Sequence, residues 1–206
     1  TFGTAQDHKR VLEGDKGKNT GGMGAYSPSR LITKDLEKKI LNKIIKPTLR
    51  GLKELGCEYK GFLYTGLMIV DNEPYLIEYN VRMGDPECQT ILPLLESDFA
   101  EVIEQCVNGK LNNIELKWKN KKSICVVLTS QGYPENYKKD ILIENLEKLK
   151  ISKYQYVFHA GTKIIDDKFF SCGGRVLNFV SLNEDFKLAR ESAIDLIKTL
   201  NWKNGF

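Results

Sequence analysis

Glu78, Asn80 and Arg82 place an acid, an amide and a guanidinium at every second position of one short stretch, Tyr75–Thr90 (YLIEYNVRMGDPECQT). The stretch opens by alternating Tyr75, Ile77 and Tyr79 with Leu76, Glu78 and Asn80. Period two is that of a strand, so Glu78 and Asn80 are expected on one face, about 7 Å apart along it. Two oxygen-bearing side chains together in an otherwise apolar strand are costly unless something pairs with them. A hard cation such as Mg²⁺ takes oxygen ligands and keeps water and phosphate oxygens in its other positions. Arg82, next on that face if the strand runs on, adds an anion clamp. E-x-N-x-R alone decides nothing, because Glu and Asn also stand side by side on the solvent face of ordinary edge strands. The context is what distinguishes it here. A hairpin precedes it, with Leu67–Val70, a turn at Asp71-Asn72-Glu73-Pro74 and then Tyr75–Asn80. The chain breaks immediately afterwards at Gly84-Asp85-Pro86.

Residues 1–30 read as a loop rich in chemistry, with Gln6-Asp7-His8-Lys9-Arg10 followed by Gly14, Gly17, Gly21, Gly22 and Gly24. Glycine lets backbone N–H groups approach an anion closely. The spacing fits neither the P-loop nor the dinucleotide fingerprint. Lys9 and Arg10, with Asn19 and Thr20, supply cations and donors suited to phosphate or carboxylate.

The elements that must position these groups follow from periodicity. Leu36, Ile40, Ile44, Leu49, Leu52 and Leu55 predict a helix over 34–55, capped by Thr33, interrupted at Pro47 and ended by Gly56. Phe62–Val70 is the first hairpin strand, with Phe62, Tyr64 and Met68 expected in the core. Ser97 is the expected cap of a helix that Gly109 ends. Residues 110–122 are polar and basic and mark a boundary. Strands are expected at Ser123–Thr129, Tyr154–Ile165 and Lys168–Val180, with a turn at Asp166-Asp167. Ser181 and Glu184 form an S-x-x-E capping box for a last helix through Leu200. In this module only His159, expected to be structural, and Arg175, preceded by Gly173-Gly174, stand out as polar groups.

A hydrophobic fraction of 41% with 28% charged residues is that of a soluble globular chain, and no apolar run approaches 18 residues. The net charge of +4 is spread along the chain rather than clustered, which argues against a nucleic-acid module despite the K-W-K-N-K-K run at 117–122. Cysteines 57, 88, 106, 125 and 172 form no C-x-x-C pair, so neither a zinc site nor a disulfide framework is expected; free thiols fit a reducing cytosol. The opening on Thr1 and on a polar motif leads to the expectation of a chain truncated at its front.

Gln6–Arg10 (QDHKR), Asn19–Pro28 (NTGGMGAYSP), Gly61–Ile69 (GFLYTGLMI) and Ile77–Gln89 (IEYNVRMGDPECQ) together resemble the phosphoribosylamine–glycine ligase (glycinamide ribonucleotide synthetase) family of the ATP-grasp superfamily. The resemblance runs the length of the chain but covers only the later part of the family's length. It implies an α+β fold. Residues 1–112 would be the later lobe of an ATP-grasp domain, an antiparallel sheet with helices, and 113–206 a small α+β C-terminal domain. It implies ATP and Mg²⁺ (or Mn²⁺) as cofactors, with glycine and 5-phosphoribosylamine as small-molecule substrates. It also implies a cytoplasmic, monomeric parent enzyme of purine biosynthesis, with no nucleic-acid or membrane partner. Carried over residue by residue, Glu78 and Asn80 would hold the metal, and Arg82 would offset charge on the glycine carboxylate and then on the acyl phosphate. Asp7, Lys9, Asn19, Thr20, Gly21, Gly22, Gly24 and Asp85 would line the phosphoribosylamine side. Tyr64-Thr65-Gly66-Leu67 offers no acid where many ATP-grasp enzymes carry a further metal ligand, and Asp71 falls in the hairpin turn. The alternatives are another ATP-grasp carboxylate–amine ligase or biotin-carboxylase-like enzyme, and a folded fragment that is inactive without the lobe that holds ATP.

Overall fold

A computed structural model describes residues 1–206. The fold is built around one antiparallel sheet of five strands: β1 (Gln6–Asp7), β4 (Gly24–Ser27), β7 (Lys122–Thr129), β12 (Arg175–Asn183) and β9 (Gln155–His159), in that order. Strands from both sides of residue 112 therefore share one sheet. β7 alternates buried Ser123, Cys125, Val127 and Thr129 with half-exposed neighbours, the period of a strand with one covered face. β12 is buried on both faces. Leu177 and Phe179 pack with Val176, Ile143, Leu146, Leu196 and Trp202. Val180 and Leu182 join Leu94, Cys125 and Val127 on the other side. The helix α5 (Phe186–Lys198) lies against β7 and β12 and buries Ala189, Ala193 and Leu196.

Residues 1–30 are more ordered than the loop expected. Besides β1 and β4 they hold a hairpin of β2 (Arg10–Leu12) and β3 (Lys16–Asn19). These strands have three and four residues, too few for a hydrophobic period to be read. The predicted helix over 34–55 forms as α1 (Lys34–Ile40), a π-turn at Leu41–Ile45 and α2 (Lys46–Glu54). Thr33 caps it, its Oγ1 accepting from Leu36 N at 3.2 Å. Pro47 lies just after the π-turn, with helical backbone on both sides, so the interruption it signals is a local change in the helix's bonding and not a break.

Against these helices lies the two-stranded sheet of β5 (Tyr64–Val70) and β6 (Glu73–Asn80). The turn is tighter than expected. Asp71 and Asn72 alone turn the chain at positive φ, and Glu73 and Pro74 already pair with Val70 and Ile69. Phe62 lies outside β5, in an aromatic group with Phe2, Phe99 and Trp118. Lys39 and Lys43 of the helix reach Glu73 at 2.5 and 2.7 Å and tie hairpin to helix. These two ammonium groups hold the Glu73 carboxyl down at about 2. Because its folded value lies below the ordinary carboxylate range, this tie contributes above that range and is lost as pH falls toward 2. A carboxyl-carbon NMR titration should give Glu73 a midpoint near 2, returning to the ordinary range in the double variant Lys39→Met, Lys43→Met.

The second half departs from expectation at its caps and breaks. Asp98, rather than Ser97, caps α4 (Phe99–Val107), because the Ser97 hydroxyl accepts from Lys117 N instead. Asp185 caps α5 in place of the Ser181–Glu184 box, since Ser181 is still inside β12 and buried. The expected strand Tyr154–Ile165 divides into β9 and β10 (Thr162–Ile165), which lie in different sheets. Lys168–Val180 divides into β11 (Lys168–Ser171) and β12. β10 and β11 form a small sheet with β8 (Ile141–Leu142), with the Asp166-Asp167 turn as expected. Helices and antiparallel sheets together make the fold α+β.

Candidate active site

The register of the hairpin sets the site. Glu78 pairs with Gly66 and Asn80 with Tyr64, so both stand on the face of Tyr64 and Gly66. A bulge at Ile77 shifts the pairing so that Leu76 faces Leu67. Leu76 therefore leaves the face that strict alternation gave it, and Tyr75, opposite Met68, takes its place. Glu78 and Asn80 open with Arg82 into a cavity of about 410 Å³. Neither Glu78 nor Asn80 is engaged in a side-chain hydrogen bond or an ion pair within the protein. Two hard oxygen donors on one face, free of protein partners, fit a divalent cation whose other ligands are water and phosphate oxygens. No group of three or more His, Cys, Asp or Glu side chains is placed to hold a metal. Asp71 sits in the turn, at the opposite end of the hairpin from Asn80.

Lys9, Gly21 and Asp85 line the same cavity. Arg175 closes it from the second half of the chain. Its guanidinium donates to Gly21 O at 3.0 Å, to Asp85 O at 2.7 Å and to both Asp85 carboxylate oxygens at 3.3 Å. The Tyr133 hydroxyl accepts from Gly21 N at 3.0 Å, and Lys18 pairs with Glu135. The glycine-rich loop is thus gripped by the module that follows it.

The remaining sequence-predicted residues do not line the cavity. Asp7 lies beneath Lys9, whose Nζ is 2.5 Å from its Oδ2, and both Asp7 oxygens are sealed from solvent. Burial pushes the Asp7 carboxyl above its ordinary range despite the opposing pull of Lys9. Burial draws Lys9 down, but Asp7, with Glu87 and Glu78 beyond it, outweighs that and holds the ammonium above its usual range. Thr20 shapes the loop, its Oγ1 donating to Lys9 O at 2.8 Å and accepting from Gly22 N at 3.0 Å. Asn19 is exposed in β3 and paired with Arg10. Gly22 sits where Asp7 and Pro86 meet, and Gly24 is buried in β4 opposite Val126.

Tyr64 and Glu87, like Met83, Gly84 and Arg175, line the cavity without having been picked out as site residues. Tyr64, expected in the core, donates from its hydroxyl to Glu87 Oε1 at 2.7 Å. Burial, with the neighbouring Glu87, pushes the Tyr64 phenol well above its ordinary range. The signal for Glu87 was present in the G-D-P-E run, but nothing in its spacing gave it a task. Tyr133 belongs to a segment without any motif.

The phosphoribosylglycinamide synthetase ATP-grasp (A) domain model matches residues 1–88, and the C domain model of the same enzyme matches 123–206. A phosphoribosylamine–glycine ligase of Brucella melitensis is 43% identical over all of this chain and 48% of its own length. One from Vigna unguiculata is 44% identical over 98% of this chain and 67% of its own length. The crystal structure of phosphoribosylamine–glycine ligase from Thermotoga maritima superposes with a TM-score of 0.85 at 35% identity, over 98% of this chain and 49% of that one. A biotin carboxylase domain of a thermophilic 2-oxoglutarate carboxylase, at 14% identity and a TM-score of 0.64, shares the fold alone. The chain spans about half the length of most of the curated relatives it matches. With the site motifs, both domain models and whole-chain identity above 40% in agreement, the chain belongs to the phosphoribosylglycinamide synthetase family.

Proposed function

We propose that this chain supplies the metal-binding and substrate-binding half of a ligase that uses ATP to join glycine to 5-phosphoribosylamine. The observation that carries the reading is the convergence of Glu78, Asn80 and Arg82 with Lys9 and Arg175 around one cavity. That is a place for a cation beside fixed positive charge, as transfer of a phosphoryl group to a carboxylate requires. In the reaction, a glycine carboxylate oxygen attacks the γ-phosphorus of ATP, and ADP leaves with the electron pair of the broken P–O bond. The amine of phosphoribosylamine then attacks the acyl carbon, phosphate leaves, and the amide nitrogen gives up a proton.

Glu78 and Asn80 are the residues that would hold Mg²⁺ or Mn²⁺, which when bound supplies charge neutralisation for the transferring phosphate. Arg82 offsets charge first on the glycine carboxylate and then on the acyl phosphate. Its guanidinium is kept in place by donation to Met83 O at 2.9 Å. Lys9 lines the same cavity, fixed by Asp7, to meet the phosphate or ribose oxygens of phosphoribosylamine. Arg175, itself paired with Asp85, holds Gly21, whose neighbours Asn19, Thr20, Gly22 and Gly24 shape the loop on that side. We read 1–112 as the later part of the ATP-grasp domain and 113–206 as the small domain that locks this loop. No helix is long and apolar enough to cross a membrane, and a monomeric cytoplasmic enzyme acting on small molecules is the reading adopted.

The test is ADP release by the chain extended to the length of its curated relatives. Release that needs both glycine and phosphoribosylamine is expected. A folded protein that binds ATP with Mg²⁺ but releases no more ADP when both substrates are added would overturn the reading.

A further inference from the structure

Glu87 is 5% exposed, yet it lines the cavity. A buried carboxylate is costly unless donors meet its oxygens. Tyr64 meets Oε1 at 2.7 Å. No protein donor is directed at Oε2, which lies beside Gly84; a methyl group there would come within 2.3 Å of it. Lys9, the ammonium that also lines this cavity, is committed to Asp7 at 2.5 Å. One oxygen of a buried carboxylate is therefore fixed, and the other is left without a partner at the wall of the cavity that holds Arg82.

A primary amine fits that vacancy in chemistry. It brings several N–H donors and, when protonated, the opposite charge, and such charge-assisted bonds are the strong ones. A carboxylate acceptor and a guanidinium in one small cavity are complementary to a zwitterion or to an amine bearing an anionic group. We propose that Glu87 is the substrate-amine acceptor of this site, with Oε2 receiving the N–H groups of a substrate while Tyr64 holds Oε1. The proposal rests on the ligase reading above, in which both glycine and the ribosylamine carry a primary amine. No assignment made so far gives Glu87 or Tyr64 a task.

The readout is carboxyl-carbon NMR of protein labelled at the glutamate side-chain carboxyl, in the chain extended to the length of its relatives. The Glu87 resonance is identified by its loss in Glu87→Gln. Three probes are added in turn. Glycine carries amine and carboxylate, N-acetylglycine keeps the carboxylate but blocks the amine, and 2-aminoethyl phosphate carries an amine and a phosphate. Movement of the resonance by glycine assigns the bond to the amino-acid substrate. Movement by 2-aminoethyl phosphate assigns it to the amine–phosphate substrate. N-acetylglycine should leave it in place. The kinetic counterpart in Glu87→Gln is a rise of about tenfold or more in the KM of the substrate whose amine is bound, with the KM for ATP held within about twofold. Tyr64→Phe keeps the carboxylate and should retain the amine-dependent shift, so the proposal stands or falls even where Glu87→Gln fails to fold. A resonance unmoved by either amine, or moved equally by N-acetylglycine, would overturn it. The spectra need no turnover. An inactive but folded enzyme would therefore count against the ligase reading, while the NMR still decides the role of Glu87.

Discussion

Glu78→Gln, in the chain extended to the length of its relatives, is expected to lower glycine-dependent ADP release by about 10²–10³-fold, a loss of roughly 3–4 kcal/mol in transition-state stabilisation. Glutamine keeps the size of the side chain and one acceptor oxygen but removes the charge that a divalent cation needs. Glu78 makes no ion pair or side-chain hydrogen bond within the protein, so the folded state loses no partner, and the thermal midpoint should stay within about 2 °C of the parent. Raising the Mg²⁺ concentration should recover part of the rate, because the defect lies in holding the ion. A full rate in Glu78→Gln would remove the carboxylate from the metal's ligands. An equal loss of rate and of stability would make its role structural.

The second large effect is on the backbone crossing behind the cavity. Gly22 has φ +124°, and a Cβ there would come within 2.4 Å of Pro86 Cδ and 2.7 Å of Asp7 Oδ1. Neither neighbour can yield easily. Pro86 is a ring closed on the backbone, next to Asp85, which Arg175 holds in turn. Asp7 is buried and paired with Lys9. Gly22→Ala combines a disfavoured backbone region with overpacking and should destabilise the fold by about 3 kcal/mol, measured by denaturant unfolding. It should also separate the QDHKR strand from the GDPE turn and weaken substrate binding. Gly51→Ala is the control, since nothing lies within 4 Å of a Cβ there. It lies within α2, where alanine is the better helix former, so it should be neutral or slightly stabilising. Equal stability in Gly22→Ala and Gly51→Ala would show that the crossing at Gly22 is not tight.

What could be read from the chain follows from how each group is placed. Glu78 and Asn80 were legible because a strand repeats every two residues and the bulge at Ile77 falls before them; β6 ends at Asn80, so Arg82 reaches the cavity from the bend that follows and not as the next residue of the strand. Leu76, one step earlier, was misassigned to their face for the same reason. Thr33 was legible as a cap because its bond is local. Ser97 and Ser181 were not, because each has an equally local rival, Asp98 and Asp185, and tertiary structure takes the serine elsewhere. β1 and β4 escaped notice because their order comes from the five-stranded sheet, in which β4 pairs with β7 about 100 residues away, and β2 and β3 because strands of three and four residues give no period to read. The grip of Arg175 and Tyr133 on Gly21 spans 154 and 112 residues and has no local signature. Glu87 and Tyr64 were hidden in opposite ways. One lay inside a motif without an assigned task, and the other in an apolar strand that reads as core.

Transfer of a phosphoryl group to a carboxylate in this cavity would leave an isotopic signature in the products. The most direct measurement starts from glycine labelled with ¹⁸O in both carboxylate oxygens and follows the label after turnover with ATP and phosphoribosylamine. Attack by the carboxylate on the γ-phosphorus predicts one ¹⁸O in each phosphate released and one retained in the amide product. Unlabelled phosphate, with both ¹⁸O atoms left on glycine, would show that ATP was hydrolysed by water and would contradict the mechanism built on Glu78, Asn80 and Arg82.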